Sequence, residues 1–330
     1  MNEIRFRLAD DDDRENIISL LNEVFSSQQR SDRVRTLKSW KWKNEENVFE
    51  ETLTVVADLN GDIIGTGTLW PFMFELQGKD HLAYQTCSLA VSENFRGRGV
   101  FRNINRVRLE TAQQRGASFL FSFPNSNSLP GYKKMDWAYL GKIPWLVKPL
   151  QPLKIARDKL SGPKTSLPHE LNTGDRLSEN RIIFDAAIQF NDELVVKKNA
   201  DFFNWRYARH PFFNYGFLSY RSTESHTFGA VYSILEKEEF REMVLIDLIA
   251  DSPDMVYEIV REAEQVARRY NAMFLAMMVP YGLKISKMLA AGYIPYPMKN
   301  LAVYSLDANI RAYVEIRRKW SLFAGLHDSI

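Results

Sequence analysis

Apolar and polar residues alternate along Ile4 to Leu8, the period of a strand, and the acidic run Asp10 to Asp13 supplies N-cap oxygens for a helix start. Ile17, Leu20, Leu21, Val24 and Phe25 then fall at helical spacing, which predicts a helix from Asp12 to Phe25. Two strand-like runs, Leu53 to Asp58 and Ile63 to Phe74, flank Asn60-Gly61, a dipeptide that favours a tight hairpin. A third run, His81 to Val91, gives way at SENFRGRGVFRNINRVRLETAQQRG to helical periodicity, with Val100, Ile104, Val107 and Ala112 on one face. Gly116 closes that helix, and Ala117 to Phe123 is a short apolar strand. Strand, helix, strand in this order predicts a βαβ unit and a partly parallel sheet.

From Lys148 to Asn180 the periodicity disappears, and Pro149, Pro152, Pro163 and Pro168 punctuate a polar stretch. Residues 151–180 read as a linker, the alternative being an excursion within one large domain. Beyond it the first half recurs in order. LKSWKWKNEENVF, with Trp42, Lys43, Asn47 and Phe49, is matched by DFFNWRYARHPFF, with Trp205, Arg206, His210 and Phe212. TCSLAVSENF and GASFLFSFPN are matched by LIDLIADSPD and NAMFLAMMVP, and GYKKMDW by ISKMLAAGY. Two copies of one α/β (α+β) fold are expected, residues 1–150 and 181–330. The second copy ends in an amphipathic helix from Asp307, carried by Ile310, Tyr313, Val314, Ile316 and Trp320.

Composition narrows the chemistry. The 330 residues are 45% hydrophobic and 25% charged, enough for two ordinary cores. Lys plus Arg number 43 against 41 Asp plus Glu, a net charge of +2, which gives no broad field for nucleic acid or an anionic membrane. Cys87 stands alone, excluding an intrachain disulfide and a Cys-based zinc cluster. The histidines at 81, 169, 210, 226 and 327 have no metal spacing, so no metal is expected. The apolar run Ala272 to Val279 falls well short of the ~20 residues that cross a bilayer. MNEIRFRLADDDDR holds no secretory apolar core, so the expectation is a cytoplasmic protein, monomer or homodimer.

The segment that carries chemistry is RGRGVFR, Arg96 to Arg102, which follows a strand and opens a helix. A helix start offers unpaired N–H groups and the positive end of the macrodipole, a setting for phosphate. Gly97 and Gly99 let the backbone approach such a ligand, and Arg96, Arg98 and Arg102 add charge. By itself the string also fits a solvated turn with a helix cap.

Arg96-x-x-Gly99-x-Phe101 resembles the acyl-CoA pyrophosphate loop, R/Q-x-x-G-x-G/A, of the GNAT N-acyltransferase superfamily. SLAVSENF resembles the strand and turn before that loop, and FPNSNSLPGYKKMDW resembles the family's N-x-x-A-x-x-x-Y-x-K-x-G-F segment. Asn125, Tyr132, Lys134 and Trp137 fall on its Asn, Tyr, Lys and aromatic positions. The resemblance spans Ile4 to about Ile143. The second half resembles the same fold without the loop, since DSPDMV has no Gly and no Arg. The tandem arrangement resembles multi-domain GNAT and N-myristoyltransferase-like enzymes. It implies two units, each a mixed, mostly antiparallel twisted sheet flanked by helices. Two positions depart from the pattern: Phe101 stands at a usual Gly or Ala, and Asp136 at a usual Gly.

The resemblance implies acetyl-CoA as co-substrate, bound by Leu89, Ala90, Val91, Arg96, Gly97, Arg98, Gly99, Val100, Phe101, Arg102, Asn125 and Ser128. A strand N–H near Leu89 to Val91 would be the oxyanion donor, and Tyr132 the acid that protonates the leaving thiolate. Tyr132 also fits a core aromatic. No side-chain base is evident: Glu93 reads as a turn cap, Asp136 as a solvent-facing residue, Cys87 as a core residue and His210 as structural. The resemblance to tandem-GNAT enzymes implies the Ile330 carboxylate as a candidate base, the alternatives being a terminus in solvent and a water held by backbone groups. The expected activity is direct transfer to the primary amine of a small molecule such as an amino sugar. Two other readings stay open: an aminoacyl-tRNA-dependent ligase that builds peptidoglycan bridges, and a non-catalytic acyl-CoA-binding protein.

Overall fold

Asn60 and Gly61 both take positive φ, 56° and 96°, as a two-residue hairpin turn demands, and join β2 (Leu53–Leu59) to β3 (Asp62–Leu76) in the computed structural model. The structure describes residues 3–26, 34–161, 177–179, 181–182, 193–237, 240–279 and 283–327. Gln77 and Gly78 repeat the device, at 52° and 74°, between β3 and β4 (Lys79–Val91). The remaining N-terminal elements follow the hydrophobic pattern: β1 (Arg5–Leu8), α1 (Arg14–Phe25), α3 (Val100–Gln114) and β5 (Phe119–Ser122). Helix α2 (Leu37–Asn44), capped by Thr36, was not singled out by periodicity, because it buries only Trp42. Then come α4 (Leu129–Lys133), β6 (Ala138–Pro149) and α5 (Pro152–Ser161). Helix α5 lies within the expected linker, most of which falls outside the described residues.

The second half supplies β7 (Val195–Val196), α6 (Ala200–Phe203) with a π-turn at Asn204–Ala208, β8 (Gly216–Ser222), β9 (Thr227–Glu236) and β10 (Arg241–Ile249). It continues with α7 (Pro253–Arg269), β11 (Ala272–Met278), α8 (Ile285–Ala290), β12 (Ile294–Ser305) and α9 (Arg311–Val314). Apart from β7, which pairs with β3, the strands run β1-β2-β3-β4-β5-β12-β6-β11-β10-β9-β8 in one sheet. Leaving β1 aside, the order is symmetric about the β12–β6 pair, with β2-β3-β4-β5 on one side answered by β8-β9-β10-β11 on the other. Only β4–β5 and β10–β11 are parallel; the other strand pairs are antiparallel. The two halves do not close as separate sheets. Each passes its last strand to the other, so that β12 lies against β5 and β6 against β11.

The expected C-terminal helix is corrected. From Asp307 onward only Arg311–Val314 is α-helical, followed by 3-10 turns at Arg317–Lys319 and Ala324–Leu326. The reason is competition for backbone groups: the Leu194 N–H donates to the Lys319 carbonyl at 2.8 Å, and the Ser321 N–H to the Leu194 carbonyl at 3.1 Å. Trp320 inserts against Phe74, Phe119 and Phe121, and Leu322, Phe323 and Leu326 are buried in the same core. The Ile330 carboxylate lies outside the described residues. No helix among them is long and apolar enough to cross a membrane.

Candidate active site

Strands β4 and β5 pair in parallel at only three positions, ending at Gln85 opposite Phe121. Past that point β4 carries a bulge: its register on β3 shifts between Thr66 and Thr68, and Ser88 takes φ 47°. A cleft of about 1330 Å³ opens there, lined by Leu89, Ala90 and Val91 of the bulged strand. One end is the turn into α3, where Gly97 and Gly99 have φ of 76° and 80°. A Cβ on Gly97 would meet nothing within 4 Å, so the backbone presents an open cradle beside the unpaired N–H groups of the first helical turn.

Arg96, Gly97, Gly99, Val100, Phe101 and Arg102 all line the cleft, as do Asn125 and Ser128. Arg98 is not among the lining residues, and its guanidinium lies over the Phe95 ring at 5.4 Å. Arg96 pairs loosely with Glu93 at 3.8 Å, the i,i+3 geometry of a turn cap. Asn125 spends its side-chain oxygen locally, accepting from the N–H groups of Asn127 and Ser128 and from Ser128 Oγ. It therefore shapes the entry into α4.

The two departures from the family pattern have physical counterparts. A Cβ on Gly131 would lie 2.5 Å from the Phe101 ring, so this glycine makes room for the aromatic side chain. Asp136 takes φ 61°, the left-handed conformation that favours Gly and that Asp tolerates better than most residues.

Tyr132 is buried where α4 meets β4, with Trp137 and Phe101 edge-on to its ring. Its hydroxyl lies 3.0 Å from Thr86 Oγ1 and accepts a hydrogen bond from Arg108 Nη2 at 3.3 Å. Both partners escaped the sequence reading. The signal for Arg108 was present: it sits midway between Ile104 and Ala112 on the apolar stripe of α3, a basic residue where an aliphatic one is expected.

Both halves contribute to the cleft wall: Trp40, Trp42 and Lys43 from α2, Phe123 after β5, His210, Phe212 and Phe213 after the π-turn, and His327 from the tail. Arg206 holds that tail, donating from Nε to the Gly325 carbonyl at 2.9 Å and from Nη2 to the His327 carbonyl at 3.0 Å. His210, read from the sequence as structural, does stack on Trp42 at 4.3 Å, and it also forms cleft wall. Its Nδ1 accepts from the N–H groups of both Phe212 and Phe213 at 3.1 Å, which places the ring proton on Nε2 and makes that nitrogen a donor, not a base. Cys87 is buried on the cleft wall. Neither Glu93 nor Asp136 lines the cleft, and none of its described lining residues is a carboxylate.

Residues 5–140 match the family model of the acetyltransferase (GNAT) domain. No curated protein matches the chain. Among solved structures, the fold is similar to a conserved protein of Enterococcus faecalis V583, with a TM-score of 0.65 and 9% identity over 93% of this chain and 73% of that one. It is also similar to a GCN5-related N-acetyltransferase of Anabaena variabilis, with a TM-score of 0.62 and 10% identity over 91% and 72%. Eis1 of Mycobacterium abscessus gives 0.56 and 11% over 92% and 74%. At these identities the likeness is one of fold.

Proposed function

Because residues 5–140 are a GNAT acetyltransferase domain, the domain of acyl-CoA-dependent N-acyltransferases, we propose that the protein transfers an acetyl group from acetyl-CoA directly to the primary amine of a small molecule such as an amino sugar. The observation that carries this reading is one continuous cleft. It takes in the Gly97–Gly99 turn, the β4 bulge, Tyr132 and aromatic side chains from both halves.

Acyl transfer needs three things from the protein. The thioester carbonyl must be polarised as negative charge develops on its oxygen, a task suited to backbone N–H groups of the bulged strand near Leu89 to Val91. The departing thiolate must be neutralised, and the Tyr132 hydroxyl is the acid at hand. The pyrophosphate must be held, by the first-turn N–H groups of α3 with Arg96 and Arg102 at the rim. Aromatic side chains of the cleft wall, Phe123, Phe212 and Phe213 among them, suit contact with the apolar face of a sugar ring.

Calorimetric titration with acetyl-CoA tests the first half of this reading. Gly99→Glu should weaken binding at least tenfold, about 1.4 kcal/mol, while leaving the melting temperature within a few degrees. Unchanged affinity would remove the loop from the site. A screen of small primary amines with acetyl-CoA as donor then tests the acceptor class.

A further inference from the structure

The Arg108 guanidinium is fully buried, and among the described residues it forms no ion pair. Its Nη1 donates to the Thr68 carbonyl at 3.2 Å and to the Cys87 carbonyl at 3.4 Å, the two residues that face each other at the β4 bulge. Its Nη2 donates to Asn105 Oδ1 and to the Tyr132 hydroxyl. The space it occupies exists because β3 has Gly67 there: a Cβ would lie 3.1 Å from Nη1. Burying a cation among neutral acceptors is costlier than continuing the apolar stripe of α3 with a methionine. Stability alone does not account for this side chain.

We propose that Arg108 is a positioning residue for acetyl transfer, a fork braced on the carbonyls of the β4 bulge that fixes the Tyr132 hydroxyl. This rests on the reading of Tyr132 as the acid. A guanidinium has donors only, so it occupies a lone pair of the phenol oxygen and cannot take its proton. Thr86 Oγ1 lies 3.0 Å from the same oxygen; when Thr86 donates to the other lone pair, the Tyr132 proton is left for the cleft. In the transfer step the amine nitrogen forms the C–N bond, the C–S bond breaks, and its electron pair goes to sulfur. Sulfur takes the Tyr132 proton, and the phenolate left behind regains one from the proton the amine nitrogen loses. The negative charge on Oη arises beside a fixed cation in a water-poor site, where such preorganised charge acts most strongly.

The test is a double-mutant cycle of Arg108→Met and Tyr132→Phe. Acetyl-CoA is the donor and hydroxylamine, a nucleophile small enough for any amine-accepting cleft, is the acceptor, with the uncatalysed rate subtracted. Arg108→Met should lower kcat at least tenfold, within the range for lost acid–base help, with KM for acetyl-CoA changed less than threefold. In the Tyr132→Phe background it should lower kcat less than threefold further. Arg108→Lys, which keeps the charge but not the fork, should show the same non-additive pattern and serves if the methionine variant does not fold. An equal loss in both backgrounds, or a rise in KM at constant kcat, overturns the positioning role. A Tyr132→Phe variant with undiminished kcat overturns the acid reading as well, so the two failures are distinguishable.

Discussion

The Trp42 indole N–H donates to the Trp205 carbonyl at 2.7 Å, and the Trp205 indole N–H donates back to the Trp42 carbonyl at 2.8 Å. The two rings stack at 5.8 Å between centroids, both buried. Each tryptophan belongs to one copy of the repeated Trp-basic segment, so the reciprocal pair joins equivalent positions of the two halves. It is the intrachain analogue of an isologous dimer contact, in which one surface meets its own copy. The exchange of β6 and β12 follows the same symmetry.

Both tryptophans lie in a core shared by residues of the two halves, which predicts that the halves unfold together. Trp205→Phe removes a donor and leaves the Trp42 carbonyl buried without it, a loss of about 1–3 kcal/mol; Trp42→Phe should cost the same. Denaturant unfolding followed by circular dichroism and by fluorescence should show one coincident transition in the wild type and in both variants. Two separated transitions would contradict the shared core.

The sequence made the local features legible because their causes are local. Asn60-Gly61, the Gly97 and Gly99 turn, the Gly116 stop and the stripe of α3 are each set by residues a few positions apart. The matching strings around Trp42 and Trp205 could be seen as well. What pairing partners those copies choose is a long-range matter: nothing within Ile294 to Ser305 says that it will lie between β5 and β6. The tail was misread for the same reason, because its amphipathic spacing was overridden by backbone bonds to Leu194. In the site, the main-chain loop was visible but its supports were not. Arg108 and Thr86 reach Tyr132 only through the packing of α3 and α4 on β4.

Phe101 and Gly131 form a size-matched pair. Gly131→Ala should overpack against the Phe101 ring and cost about 1–3 kcal/mol, with weaker acetyl-CoA binding. Phe101→Ala added to it should recover most of both losses. Thermal melts and titrations of the single and double variants check this, and additive losses would show that the two sites do not touch.

Glu193 is only 2% exposed, and among the described residues neither carboxylate oxygen has a hydrogen-bond partner. Burial pushes its pKa up to about 8, against a smaller opposing pull from Lys319. A carboxyl whose folded pKa exceeds its unfolded value near 4.5 binds more protons folded than unfolded. Its contribution therefore falls as pH rises from about 4.5 to 8, by at most about 1.4 kcal/mol per pH unit, and is flat outside that window. Glu193→Gln should match the wild type below pH 4 and exceed it increasingly up to pH 8. Stability curves for the two proteins that stay parallel across this range would refute the assignment.

Tyr132, in the proposed reaction, donates the proton that releases the CoA thiolate. Tyr132→Phe keeps the ring against Trp137 and Phe101 and deletes only the hydroxyl. Single-turnover transfer from acetyl-CoA, measured beside the calorimetric affinity, tests the claim most directly. The account predicts a loss of about 10²–10⁴ in the transfer rate, with affinity for acetyl-CoA within threefold of the wild type. A transfer rate within threefold of the wild type would contradict it and return Tyr132 to the core.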